Sequence, residues 1–358
     1  MSNLQQQYQT ADAPEPGPNE ETASPRPPRQ GYWRLVWRQF RKNRLAMTGL
    51  GVVCLFFALA LLSPLLASER PWYAVIDGES YWFPILRDIP ELRTFDFSGW
   101  ERGEGDFAIF TLVPHDPRTV KLERRLESPS WSHWLGTDDL GRDVLSRIIW
   151  GSRISMSIGF IAVGISAAIG IVIGALAGYY GGLVDNIAQR LIEVVMCFPV
   201  LILILALLAF MPQQSIYIIM VVLGIIGWTG IARLVRGEFL KLRESDFTTA
   251  ARATGVSDRR IMFRHMLPNA LSPVLVAATF GIAGAILMES ALSFLGFGVP
   301  PPTPSWGQIL SQSNQYINRP DGAWWLVTFP GVVIFMTVCA FNLVGDGLRD
   351  AMDPRLRQ

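Results

Sequence analysis

Apolar residues lie in long blocks along this chain, and polar segments separate them. A helix that crosses a bilayer needs about 20 mostly apolar residues. Six blocks approach that length, the fourth being the shortest: 45–66, 154–179, 191–210, 216–232, 271–294 and 324–344. The pattern therefore predicts an all-α polytopic membrane protein with six transmembrane helices and a long insertion, residues 67–153, between the first and the second.

The segments before the first block differ in character. Residues 1–30 are rich in Gln, Pro, Glu and Ser, which predicts a disordered tail. In the segment 31–44, Trp33, Trp37 and Phe40 recur at helical spacing, and arginines occupy the neighbouring stripe. This arrangement predicts a helix that lies in the membrane interface. The alternative is a solvated basic flank ahead of the first span.

Short loops predict the orientation of the spans. Residues 26–44 carry seven Lys or Arg and no acid, and residues 233–264 carry eight Lys or Arg against four acids. The 295–323 loop carries one Arg and one Asp. By the positive-inside rule, the first two segments face the cytoplasm and the third faces outward. Six crossings then place both termini inside and the insertion outside, where we expect short strands and a helix or two.

Small residues on two spans predict close helix packing. Gly170, Gly174 and Gly178 recur every four residues on the second span, and Gly281 lies between alanines on the fifth. In lipid, apolar burial does not drive helices together, so small residues that permit close approach matter more. The helix partners lie within this chain or in a second subunit; the alternative is that the small residues simply face lipid.

Two carboxylates, Glu193 and Glu289, lie within or near the ends of apolar blocks. A charge at such a depth is costly and usually faces a bundle interior or water. Both are candidates for the translocation path. Each could equally be an end-of-helix group bonded to a loop, and the sequence leaves both interpretations open.

Composition narrows the function classes. Charged residues make up 17% of the chain, below the roughly 25% of soluble domains, and the net charge of +1 gives no reason to expect nucleic acid. The three cysteines fall inside apolar blocks, which argues against a metal cluster. His115, His133 and His265 lie in polar loops on both sides, so no catalytic constellation, metal site or cofactor is predicted. A secondary transporter is a further alternative, but no internal repeat is apparent.

The polar segment 233–270 is longer than a connector between two spans requires. Asp246 is a candidate N-cap for a short helix over 247–254, and Gly255 suits the left-handed residue that ends such a helix. Pro268 would help to close off a second short helix. Three exposed alanines on the first helix would let another surface approach closely, which predicts a docking site.

Six positions of this segment have a specific spacing: Thr249, Ala250, Ala251, Gly255, Leu267 and Pro268. They resemble the "EAA" loop of bacterial ABC importer permeases, which in that family forms the coupling helix that sits in a cleft of the cytoplasmic ATPase. Thr249 stands where the family has Glu, and His265 where it commonly has Ile. The first change removes any salt bridge from that Glu and leaves the helix-and-turn shape intact.

Three further stretches, 135–147, 289–296 and 345–354, resemble segments of dipeptide/oligopeptide permeases in the same order along the chain. The insertion, over about residues 70–130, is longer than in the plain dipeptide type. It resembles the subclass that takes up microcin-like or longer peptides.

The resemblance implies a set of partners and a location. The chain carries no phosphate-binding loop of the Gly-x-x-x-x-Gly-Lys-Ser/Thr type, so ATP hydrolysis is expected on other chains and this subunit is not an enzyme. The family implies a sister permease, two cytoplasmic ATPases and a periplasmic peptide-binding protein. The permease pair would lie in the lipid of a bacterial inner membrane, with the insertion in the periplasm.

Overall fold

A computed structural model describes residues 32–85, 105–316 and 322–353, together with the single residues 92, 95, 97, 100 and 103. The tail predicted to be disordered, residues 1–30, lies outside the described residues. Within them the chain is mainly helical: α1 Tyr32–Phe40, α2 Arg44–Leu66, α3 Val144–Tyr180, α4 Gly182–Met196, α5 Val200–Ala209, α6 Ile216–Arg243, α7 Asp246–Ala253, α8 Asp258–Arg260, α9 Leu267–Phe294, α10 Trp306–Gln312 and α11 Trp325–Met352.

In the described part of the chain, five helical segments are long and apolar enough to cross a membrane: Arg44–Leu66, Val144–Tyr180, Ile216–Arg243, Asp258–Phe294 and Trp325–Met352. Most exceed their predicted bounds. In particular, α3 begins at Val144, ten residues before the predicted start, because the Asp143 carboxylate caps its first turn. The first turns of α3 contain polar residues, so a search for apolar blocks does not include them. Likewise α6 continues eleven residues past position 232 and α11 includes residues 345–352 of the predicted tail.

The third predicted span, 191–210, is not one straight helix. It falls on α4 and α5, which meet at 81°. Pro199 stands at the junction and N-caps α5. Proline lacks the N–H that would continue the ladder, and its ring clashes with the preceding turn, so a helix breaks there. The apolar composition of residues 191–210 gives no sign of this bend.

The packing of α3 on α6 shows that the bent pair still crosses the bundle. Gly170 lies against Ile231 and Gly178 lies against Phe239, so α3 and α6 run side by side in the same direction. The chain that leaves α3 must therefore return to the opposite end before α6 begins. The pair α4–α5 makes that return, since Ile192 packs beside Ala232 in the middle of α6 and Ile204 packs beside its start. In the described residues, the bent pair is therefore a sixth candidate span beside the five long helices.

The segment between α2 and α3 contains a small antiparallel sheet in the order β2-β1-β3, with β1 Tyr73–Ile76, β2 Glu79–Trp82 and β3 Phe107–Ile109. Asp77 and Gly78, both with positive φ (52° and 79°), form the tight turn between β1 and β2. We call this side of the bundle, residues 67–143, the insertion end. The opposite side, where residues 244–257 join α6 to α8, is the loop end.

Helix α1 packs at the loop end. Val36 and Phe40 are buried in a cluster with Ala351 and Met352 of α11. Trp33 and Trp37 are about half exposed, at 58% and 50%. The predicted tryptophan stripe is therefore the outward face of α1, whereas Phe40 belongs to its inward face.

Candidate coupling and translocation sites

Helix α7 begins one residue earlier than predicted. Ser245, not Asp246, occupies the N-cap, and Asp246 is the first helical residue. The Ser245 hydroxyl bonds the Leu242 carbonyl oxygen (2.6 Å) and lies 3.1 Å from the Thr248 hydroxyl, which also donates to Leu242 (2.9 Å). These bonds to the end of α6 fix the corner between α6 and α7. Asp246 retains a favourable place, because a carboxylate in the first turn complements the helix dipole.

Gly255 ends α7 in the predicted left-handed conformation, with φ of +74°. Its N–H donates to the Arg252 carbonyl (3.0 Å), and the Val256 N–H donates to the Ala251 carbonyl (3.1 Å). This pair of bonds is a Schellman motif, which satisfies the last carbonyls of a helix. Ala251 and Val256 both pack on the cluster between α3, α6 and α9. The turn therefore pins α7 to the bundle.

The outward face of α7 combines small residues with Asp246, Phe247 and Arg252, which are also exposed. Thr249, Ala250 and Ala253 are exposed, whereas Ala251 is half buried against the bundle, contrary to the predicted exposure of all three alanines. The Thr249 hydroxyl donates to the Ser245 carbonyl of its own helix (3.2 Å). Thr249 therefore presents mainly its methyl group where the family pattern has a carboxylate.

Leu267 and Pro268 lie within a continuous helical segment, Asp258–Phe294, so Pro268 does not close off a second short helix as predicted. Residues Ile261–Met266 form a π-helical turn, in which the Leu267 N–H donates to the Met262 carbonyl. The wider turn accommodates the proline ring that would clash in an α-helix. Leu267 packs on the same cluster as Ala251, and Pro268 is exposed.

Tyr179, near the end of α3, joins that helix to the loop. Its hydroxyl donates to a carboxylate oxygen of Asp258 at 2.6 Å. The Arg252 guanidinium lies over its ring, 5.1 Å from the centroid, within cation–π range. These contacts connect α7 and α8 to α3 directly, in addition to the chain connections to α6 and α9. Sequence reasoning missed this residue.

The glycine stripe lies in the seam between α3 and α6. A Cβ added at Gly170 would lie 2.9 Å from the Trp228 carbonyl oxygen, and one at Gly174 would lie 2.4 Å from that of Ala232. A Cβ at Gly178 would lie 2.5 Å from the Phe239 Cβ. Gly281 is less crowded, since its nearest contact would be a methyl group at 3.3 Å. The stripe thus packs within this chain.

The structure separates the two candidate path carboxylates. Glu193 is exposed on α4 and pairs with Arg190 at 2.7 Å. Glu289 is fully buried on α9, where its Oε1 accepts hydrogen bonds from Ser293 (2.8 Å) and Ser305 (2.7 Å). Its Oε2 is buried with no hydrogen-bond partner in the described part of the chain. Ser305 caps α10, so Glu289 ties α10 to α9.

A buried ionic network, which sequence reasoning missed, lies at the insertion end. Asp138 and Arg147 are both 0% exposed, and the Arg147 guanidinium contacts the Asp138 carboxylate and Gln308 of α10. Arg147 also donates to Gln312 (2.9 Å), and Arg142 donates to Asp138 (2.7 Å). Three acids and two arginines within residues 138–147 were the available signal. The network joins the start of α3 to α10.

Asp139 borders this network. Burial raises the pKa of its carboxyl, the neighbouring Asp138 carboxylate raises it further, and Arg142 opposes the rise. The Gln312 amide donates to Asp139 at 3.0 Å. The neutral Gln312 amide therefore attaches the Asp139 side chain to α10.

Three residues with metal-binding side chains, His115, His133 and Asp143, have ligand atoms within 4.8 Å of one another. His133 contacts the Asp143 carboxylate through Nδ1 (2.9 Å), and its Nε2 lies 3.2 Å from the Arg124 guanidinium. A metal on Nδ1 would move the ring proton to Nε2, where it would face the N–H groups of Arg124. The arrangement favours a hydrogen-bonded anchor at the start of α3 over a cation site.

The His115 imidazole gives a testable pH dependence. Burial lowers its pKa, and the nearby His133 and Lys121 lower it further, against the Ser132 carbonyl and Asp143. The folded state therefore binds this proton less readily than the unfolded state, whose histidine pKa is about 6.5. Stability from this group is present above about pH 6.5 and falls as the pH drops below it.

We expect the melting temperature of the detergent-solubilised protein to fall between pH 7.5 and pH 5.5, and H115Q to reduce that fall. H265Q, on the loop side of the bundle, serves as the control. An unchanged pH slope in H115Q would contradict the assignment.

Comparison with known proteins agrees with this geometry. A family model described as "Binding-protein-dependent transport system inner membrane component" matches residues 170–358. A second, "N-terminal TM domain of oligopeptide transport permease C", matches residues 31–78. The chain is thus covered at both ends by models of permease segments.

Three curated relatives are each named "Dipeptide transport system permease protein DppC". The protein of Alkalihalophilus pseudofirmus is 36% identical over 92% of this chain and 94% of its own length. That of Bacillus subtilis is 34% identical over 95% and 91%, and that of Haemophilus influenzae is 40% identical over 69% and 84%. The chain belongs to the family of binding-protein-dependent transport system inner membrane components, and it is a non-catalytic, membrane-spanning permease of an ABC importer that works with ATPase and substrate-binding components.

Proposed function

We propose that this chain is one of two permease subunits that form the path for di- and oligopeptides through a bacterial inner membrane. The observation that carries the proposal is α7, a short helix whose exposed residues include the small Thr249, Ala250 and Ala253 and whose base is bonded to α6, α3 and the cluster beneath it. A helix of this kind suits close docking into a cleft of an ATPase.

The six residues Thr249, Ala250, Ala251, Gly255, Leu267 and Pro268 have distinct parts in this proposal. Thr249 and Ala250 would touch the ATPase, since both are exposed. Ala251 and Leu267 would hold α7 on the bundle, and Gly255 would fix the turn. Pro268 would lie at the start of α9, where a movement of α7 and α8 would reach that helix.

The loop end is proposed to face the cytoplasm. It carries an exposed run of arginines, including Arg259, Arg260 and Arg264, and α1 adds further arginines on the same side. Positive residues in short loops favour the cytoplasmic side. Both termini would then be cytoplasmic and the insertion end periplasmic. The exposed tryptophans of α1 would lie in the lipid interface.

A sister permease is proposed to cover the exposed apolar face of α4. Leu183, Ile187, Leu191 and Val194 are 74%, 54%, 53% and 60% exposed, and they form one side of that helix. Glu193 lies on α4 with more than half of its side chain exposed, and so remains the candidate for the path. Glu289, by contrast, is proposed to act in packing α10 rather than in contact with the solute.

Peptides are the proposed solutes because all three curated relatives are named as dipeptide permeases and a matching model describes an oligopeptide permease. The subclass for longer peptides is proposed on the sequence resemblance of the insertion alone, because the dipeptide permease of Alkalihalophilus pseudofirmus aligns over 92% of this chain. ATP-driven closure of the two ATPases would draw α7 and, through Tyr179, α3. The two ends of the bundle would then open in turn as the populations of two states shift.

Reconstitution tests this function. The chain is combined in proteoliposomes with its sister permease, the two ATPases and the binding protein encoded beside it, and labelled dialanine and hexaalanine are supplied outside. We expect ATP- and binding-protein-dependent uptake, with hexaalanine taken up if the insertion serves longer peptides. Absence of uptake of both peptides by an assembled, ATP-hydrolysing complex would refute the peptide assignment.

Gly255 provides a test of the coupling role. A Cβ at this position would meet no heavy atom within 4 Å, so the cost of G255V is backbone strain at φ of +74° rather than a clash. That strain is about 1 kcal/mol or more for a β-branched residue. We expect G255V to assemble yet lose most peptide uptake and ATPase stimulation by the binding protein.

The matched control is G255N, because asparagine tolerates the left-handed region better than other residues with a side chain. We expect it to retain uptake close to that of the wild type. If G255V also transports normally with its ATPases bound, the turn has no part in coupling.

A further inference from the structure

The insertion end displays two tryptophans on one turn, residues 130–134. Trp131 is 97% exposed and Trp134 is 51% exposed. With Pro129 and Ser130 they line an open surface depression of about 610 Å³. Contiguous exposed apolar surface with a polar rim marks interaction sites, whereas single exposed apolar residues do not.

The turn is held rigidly. The Ser130 N–H donates to the His133 carbonyl (2.9 Å), which also accepts the Gly136 N–H (2.9 Å). The Ser130 hydroxyl accepts the His133 N–H at 3.2 Å. Between the two tryptophans, the buried His133 side chain is bonded to Asp143, which caps α3. Binding through these tryptophans would therefore cost little conformational entropy in the backbone.

The surroundings favour a protein partner over a lipid surface. Among the residues that precede the turn, Glu123, Arg124, Arg125 and Ser128 are exposed and polar, and Leu122 is exposed and apolar. A membrane-inserting segment needs a continuous apolar face. Tryptophan inside a polar rim is instead the composition of a protein–protein hot spot.

We propose that Trp131 and Trp134 are the anchor on which the substrate-binding component docks. The inference rests on the proposed function only for the side of the membrane that this end faces. The anchor adds a mechanical link, because His133 and Asp143 fasten the turn to the start of α3 and Tyr179 fastens the end of α3 to α8. One rigid helix thus joins the docking turn to the coupling loop.

The test uses the complete complex of permeases and ATPases in lipid nanodiscs and the purified cognate binding protein. Its affinity is measured by biolayer interferometry for wild type, W131A, W134A and the double variant. We expect each single variant to weaken binding about tenfold or more, as hot-spot tryptophans do. W33A is the matched control, because Trp33 is also exposed, at 58%, but lies on α1 at the loop end.

The outcomes separate the two proposals. Wild-type complex that hydrolyses ATP but binds no binding protein would refute the proposed function. If the double variant binds the binding protein as tightly as the wild-type complex does, the tryptophan anchor alone is refuted. Position 131 is also replaced by a fluorescent cysteine adduct in a variant whose three cysteines are changed to serine. Quenching of that adduct by brominated lipid would overturn the anchor in favour of membrane contact.

Discussion

The variant G174V is expected to yield no stably folded permease. A Cβ at Gly174 would lie 2.4 Å from the Ala232 carbonyl oxygen and 2.8 Å from the Val235 Cβ. These atoms belong to the backbone of α6 and to the base of a side chain, so they cannot move aside without separating the two helices. Overpacking of a tight seam costs about 3 kcal/mol at the upper end of its usual range. Fluorescence-detected size-exclusion after heating measures the loss.

Gly164 provides the matched control on the same helix. A Cβ there would meet nothing within 4 Å, so G164V is expected to leave the melting temperature and the yield nearly unchanged. G281A should lie between the two, because the nearest methyl group, at 3.3 Å, can shift. A G174V protein as stable as G164V would show that α3 and α6 do not pack as described.

The second large effect is expected from D138N. The variant leaves the guanidinium of Arg147, which is 0% exposed, without its carboxylate. Removal of one partner from a buried ion pair costs about 3–5 kcal/mol, because an uncompensated charge remains in a low-dielectric site. We expect a large drop in melting temperature and weaker attachment of α10 to α3, seen as faster proteolysis of the 295–323 segment.

A double variant, D138N/R147M, tests whether the buried charge itself is responsible. Removing both charges should recover part of the stability lost in D138N. The exposed pair Arg190–Glu193, with side chains 82% and 56% accessible, is the surface control, and E193Q should change stability little. If D138N melts like E193Q, the network is not a stabilising element.

The spans and helix α7 were predictable because they rest on local patterns. Apolar length predicted six spans, of which five are long helices and the sixth is the bent pair α4–α5 in the described residues. The left-handed conformation of Gly255 followed from its place after a short run of helix-forming residues. The glycine stripe pointed to close packing, although its partner, α6, could not be named. The identity of the partner helix is set by how the helices are arranged in space, and a local sequence pattern does not contain that information.

Long-range and context-dependent features were not predictable. The link from Tyr179 to Asp258 joins residues 79 positions apart, and that from Arg147 to Gln308 joins residues 161 apart. Pro268 was expected to stop a helix, but a π-helical turn before it admits the ring. Asp246 and Ser245 are both good capping residues, and only the geometry of the α6 end decides between them.

The break between α4 and α5 has a consequence for how the protein exists in lipid. Each helix end leaves four backbone groups without an intrahelical partner, and here two such ends meet partway across the bundle. Residues 197–199 at the break are exposed in the single chain. Hydrocarbon tolerates open backbone of this kind only where protein or a water-filled cavity covers it. An isolated copy of this chain would thus expose unpaired backbone groups to the lipid. Its stable insertion in the bilayer therefore depends on the assembly and not on the chain alone.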